Sequence, residues 1–91
     1  MNNDLMRALA WRVKAVPSGR KMVLVALADS SDRDGLCWLS LAEVARMVSM
    51  DESDAYDHLR SLGRDGFVET ALAPALCRVV RDRLRGAAGE Q

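Results

Sequence analysis

Aromatic side chains are scarce in this 91-residue chain: two Trp, one Tyr and one Phe. The apolar fraction is nevertheless 49%, so Ala, Leu, Val and Met must fill most of a core. A domain this short buries only about 60–65% of its unfolded surface, and it needs a well-filled core or a partner. The one histidine, His58, sits beside Asp57. No serine or cysteine at nucleophile-elbow spacing accompanies it. Neither a glycine-rich phosphate loop nor a set of metal-ligand spacings is present. An enzyme is therefore not expected, nor a cofactor, a metal or a small-molecule substrate. Cys37 and Cys77 have no metal spacing and read as small core residues with reduced thiols. No basic-then-apolar leader opens the sequence. Its longest apolar run, Met22 to Ala28, is too short for a bilayer. A cytoplasmic location without membrane association is the expectation.

Net charge is also absent, with 13 basic and 13 acidic side chains. Their distribution is uneven. Residues 1–21 hold five basic side chains against one acidic, residues 22–69 four against ten, and residues 70–91 four against two. Positive ends around a negative middle can orient a molecule on a charged partner.

Apolar periodicity organises the chain. Leu5, Met6, Leu9, Ala10, Val13 and Val16 mark a helix over about Asn3 to Ala15, ended by Pro17. Trp11 points away from that stripe. Ser18 suits the N-cap of a second helix, whose apolar residues on every side predict a central position. Asp29 to Gly35 is a polar turn; it lacks the spacing and terminal Glu of a calcium loop. Leu36 to Leu39 reads as a short strand. Ser40-Leu41-Ala42-Glu43 is a capping box that opens a third helix with Leu41, Val44, Ala45 and Val48 inward. Ser49-Met50 forms a turn, and Asp51 is placed to cap a fourth helix with Ala55, Leu59 and Leu62 inward. Phe67 to Thr70 starts a strand, Ala73-Pro74-Ala75 turns, and Cys77 to Arg81 returns. A short helix within 74–85 is the competing reading, because Leu76, Val79, Val80 and Leu84 also suit helical spacing. A single domain over 1–85 and a loose tail over 86–91 are expected.

Several local features carry a family likeness: Ala10-Trp11, Pro17-Ser18-Gly19, Lys21 with the Val23-to-Asp29 run, Gly35-Leu36-Cys37-Trp38, and Leu59 through Val68. The most specific segment is VLVALADSSDRDGLCWLS. Residues about 9–68 resemble the winged-helix domains of phage and plasmid replication-initiator proteins and related helix-turn-helix regulators. The resemblance implies a mainly α fold with a small β-sheet, a winged helix-turn-helix of four helices and a C-terminal β-hairpin wing. It also implies DNA binding as a transcription or replication regulator, with a homodimer expected because one module offers little contact area. The departures are Leu39 where Pro is common, Ser49 where Gly is common, and Glu52, Ser53, Asp54 and Asp57 where the reading helix is usually basic or neutral.

That fourth helix sets up a conflict. A duplex is bound chiefly by neutralising phosphates, yet Asp51, Glu52, Asp54, Asp57 and Asp65 face only Arg60 and Arg64. On a DNA reading, Tyr56, Arg60 and Arg64 enter the groove, and the wing arginines Arg78, Arg81 and Arg83 hold the backbone, with Arg85 beside them. On the alternative reading the protein is an inhibitor. Glu52, Asp54, Tyr56 and Asp57, with Trp11 as a further anchor, would dock on a basic protein partner and occupy its nucleic-acid groove.

Overall fold

The computed structural model describes residues 3–73 and 76–89, with 71–73 described by their backbone alone. The elements are α1 (Asp4–Arg12), α2 (Ser18–Asp29), β1 (Leu36–Cys37), α3 (Leu41–Val48), α4 (Glu52–Arg64), β2 (Val68–Ala73), β3 (Leu76–Val79) and α5 (Arg81–Ala87). The fold is mainly helical with a small three-stranded antiparallel sheet. Among the described residues it has five helices where four were expected.

Asn3 caps α1, its side-chain oxygen accepting the Met6 N–H at 3.0 Å. The same residue ties the start of the chain to the end of α2. Its backbone N–H donates to the Asp29 carbonyl at 2.8 Å and its side-chain amide to the Asp32 carbonyl at 3.0 Å. Arg7 adds an ion pair to Asp29 at 2.8 Å. The helix ends at Arg12, earlier than predicted, because Val13 turns extended and Ala15 adopts a φ of +64°. Only the Met6, Ala10 and Val13 side of the predicted stripe is buried; Leu5 is 78% exposed.

Helix α2 is the centre of the fold. Val23 to Ala28 are all buried, and α2 packs on α1, α3 and α4. This is what a helix without a polar face requires. Ser18 is the first residue of α2; the cap position belongs to Pro17, whose carbonyl accepts the Lys21 N–H at 2.9 Å. In the loop that follows, the Asp32 carboxylate accepts the N–H groups of Asp34 and Leu36, both at 2.9 Å, as a solvated Asx turn should.

The predicted capping box at α3 is complete. Ser40 Oγ accepts the Glu43 N–H at 3.1 Å, and Glu43 Oε1 accepts the Ser40 N–H at 3.0 Å. The backbone N–H of Ser40 first, and its hydroxyl second, hold the Glu43 carboxyl below its ordinary range. Because the folded value is depressed, the contribution is complete above the usual glutamate range and is lost as pH falls through that depressed value. Ser40→Ala should destabilise the fold by about 1 kcal/mol. It should also flatten the acid limb of a stability-against-pH curve measured by urea unfolding.

Ser49 ends α3 in the left-handed region, at φ 57° and ψ 48°, and Met50 completes the corner into α4. Asp51 stands at the N-cap position of α4 without a side-chain cap bond. Ala55 and Leu62 are fully buried beneath the helix.

The sheet order is β1-β3-β2. Cys37 faces Cys77 and Leu36 faces Arg78 across β1 and β3. Val68 faces Val79 and Glu69 faces Arg78 across β2 and β3. The inner face carries Cys37, Cys77, Val68 and Val79, all buried. The hydrogen bond to Cys77, then burial, pushes the Cys37 thiol up and keeps it protonated. Both cysteines are free thiols within the core.

The end of the chain corrects the predicted wing. The strand stops at Val79, and Arg81, Arg83 and Arg85 lie on α5. The hairpin is therefore not C-terminal. Val80, Leu84 and Ala88 are spaced at four-residue intervals, and Leu84 and Ala88 are buried. That helical spacing outweighs the β-branched pair Val79-Val80. Gly86 and Ala87, read from sequence as the start of a tail, close α5, and the Ala87 carbonyl accepts the Lys14 N–H at 3.2 Å. Pro74 and Ala75 of the predicted turn, and Glu90 and Gln91 of the predicted tail, lie outside the described residues.

Candidate interaction surface on α4

With 3.6 residues per turn, the buried pair Ala55 and Leu62 fixes which side of α4 faces out. The outermost stripe is Ser53, Asp57, Arg60 and Arg64. Glu52 and Asp54 lie about a quarter turn to either side. Glu52, Asp54, Asp57, Tyr56, Arg60 and Arg64 are all exposed. The first half of the helix is acidic, its second half basic. Acids in the first turn also suit the positive end of the helix dipole.

Tyr56 is 50% exposed, and the Arg60 guanidinium sits 5.8 Å from its ring centroid. On the sheet side of Tyr56 is a cavity of about 240 Å³. Leu39, Leu41, Val44, Leu59, Leu76 and Cys77 supply most of its lining. Small residues let the helix approach its neighbours. A Cβ on Gly19 of α2 would stand 2.8 Å from His58 Nε2, so His58 packs directly against that glycine. Gly63 faces Thr70 of β2. Sequence reasoning missed both positioning glycines; each is an isolated small residue whose neighbour is distant in the chain.

The arginines expected on a wing are engaged elsewhere. Arg78 faces Glu69 across the sheet and pairs with it at 3.6 Å. Arg81 donates to the Arg33 carbonyl at 3.2 Å. Arg83 donates through Nε to the Asp65 carbonyl at 3.1 Å and lies 4.3 Å from the Phe67 ring centroid. It therefore closes the C-terminal end of α4, where a cation is favoured. Arg64 pairs with Asp65 at 3.6 Å. Trp11 is 49% exposed on α1. α1 packs on α2 and α5, whereas α4 packs on α2, α3 and β2.

No family model, curated protein or solved structure matches this chain. Its possible chemistry therefore rests on the residues themselves. Among the described residues no group of three or more His, Cys, Asp or Glu could hold a metal ion. None of the described helices is long and apolar enough to cross a membrane. The surface on α4 offers carboxylates, one aromatic ring and an adjacent apolar cavity. That combination suits recognition of a basic surface with an apolar side chain at its centre.

Proposed function

We propose that this chain is a protein-docking module built on a winged-helix frame, presenting the first half of α4 to a basic groove of another protein. Such a groove is typically a nucleic-acid path, so the bound module would act as an inhibitor of its owner. The observation that carries this reading is the separation of charge. Asp51, Glu52, Asp54 and Asp57 are exposed at the start of α4, while Arg78 is paired with Glu69 and Arg83 is held by the Asp65 carbonyl and the Phe67 ring. A duplex on α4 would meet carboxylates without the backbone neutralisation it needs. The frame is supported by the helix order and by β1 pairing with the β2–β3 hairpin through β3.

Isotope-labelled protein titrated with an arginine-rich peptide should show amide shifts confined to about Asp51–Asp57. Glu52→Lys combined with Asp57→Lys should weaken that binding at least tenfold, about 1.4 kcal/mol. Unchanged affinity in the double variant would overturn the reading.

One observation favours DNA as a second reading. The outermost stripe of α4 carries Arg60 and Arg64 against Asp57 alone, with Tyr56 beside them. A winged-helix regulator, bound as a homodimer, would place these three residues at the groove. A gel shift with the DNA flanking its own gene at low salt, abolished by Arg60→Ala with Arg64→Ala, would establish it over the first.

A further inference from the structure

Helix α1 has a second apolar stripe that the described residues leave partly open, with Leu9 touching the core while Leu5 and Ala8 stay exposed. Met6, Ala10 and Val13 are buried, whereas Leu5, Ala8 and Leu9 run along the adjoining side. Leu5 is 78% exposed, more than any other large apolar side chain described. These three residues form the floor of a groove of about 290 Å³ between α1 and α5, whose remaining lining is Arg12, Arg81 and Arg85. Arg81 and Arg85 are one helical turn apart, so they project along the same side of α5. The groove is thus apolar at its base and basic at its rim.

We propose that this groove receives the acidic half of α4 from a second copy of the chain. The inference rests on α4 being a docking face, as argued above, and it names a regulation of that face: self-association would cover it. Charge chooses the occupant. Pairing the groove with its own copy about a two-fold axis sets Arg81 and Arg85 of one chain against the same arginines of the other, which is repulsive. Pairing it with α4 sets them against Glu52, Asp54 and Asp57, and the half-exposed Tyr56 ring can lie on Leu5 and Leu9. Groove and helix are different surfaces, so the contact is head-to-tail and further copies can add. One ring and a few exposed ion pairs make a weak contact that salt screens.

Sedimentation of the full chain at low ionic strength should show mass rising with concentration above the 10.0 kDa monomer. Salt at about 1 M, where the screening length is about 3 Å, should restore the monomer. Arg81→Ala with Arg85→Ala, and separately Leu5→Asp, should be monomeric at every concentration yet keep full affinity for the arginine-rich peptide. Glu52→Lys with Asp57→Lys should be monomeric and lose the peptide. An equimolar mixture of the two charge variants is the sharpest readout. Each retains the one surface that the other lacks, so the mixture should form a dimer that grows no further. A wild type that stays monomeric while still binding peptide through α4 would overturn the self-association and leave the docking reading standing. Association that survives the α4 variants, or a mixture that remains monomeric, would equally overturn it.

Discussion

Gly35→Ala should lower the thermal midpoint by roughly 12–24 °C, the equivalent of a loss of about 3 kcal/mol in a domain of this size. Gly35 has a φ of +84°, and a Cβ added there would stand 2.5 Å from the Val79 carbonyl oxygen. The obstacle is backbone, which cannot swing aside as a flexible side chain would. Val79 also donates its N–H to the Gly35 carbonyl at 2.8 Å, so relieving the collision opens the start of the β1–β3 pairing. The left-handed conformation adds about 1 kcal/mol of penalty, forced backbone displacement about 1–3 kcal/mol, and the weakened hydrogen bond about 1 kcal/mol. Total stability at this length is about 5–14 kcal/mol, so a large share would go. Gly86→Ala is the matched control. It lies within α5 with nothing within 4 Å of its added Cβ, and melting should show it unchanged or slightly stabilised. Equal midpoints for the two variants would contradict the placement of Gly35.

Leu62→Ala should cost about 2–5 kcal/mol in denaturant unfolding. Its side chain is fully buried, and with Ala55 it anchors α4 to the core. Truncation leaves a cavity directly beneath the surface proposed to dock. The fold should therefore weaken while the exposed chemistry of α4 stays intact. Peptide affinity measured at low temperature, where the variant remains folded, should change only a few-fold. Amide exchange along α4 should accelerate together with the rest of the core. A cost under about 1 kcal/mol would mean that the core collapses readily around the gap, and that α4 is held by other contacts.

The parts of this fold that the sequence makes legible are those written in short-range patterns. The capping box at Ser40 and Glu43, the corner at Ser49-Met50 and the all-apolar α2 each depend on residues within a few positions of one another. The outward carboxylates of α4 follow from the same logic, since Ala55 and Leu62 fix which side is buried. Helix α5 was obscured because Val79 and Val80 look like a continuing strand, and only the later Leu84 and Ala88 show the change of period. The apolar stripe on α1 is broader in the sequence than in the packing: Leu5 and Met6 are equally apolar, and nothing local says which of them meets α2. The engagement of Arg83 with the Asp65 carbonyl and the Phe67 ring spans the sheet and two helix ends, so charge alone suggested a phosphate ligand where the structure has an internal one. The candidate surface was therefore visible at Glu52, Asp54, Tyr56 and Asp57, but its adjoining cavity was not.

The middle strand of the sheet is the last one made. β3 lies between β1 and β2, so both of its neighbours must wait, edges unmatched, until residues 76–79 have been synthesised. A chain cut before Leu76 would hold two strands with no common partner and would lack the Leu84 that closes the core. Fragments of this chain that stop before Leu76 should accordingly be poor substitutes for the whole.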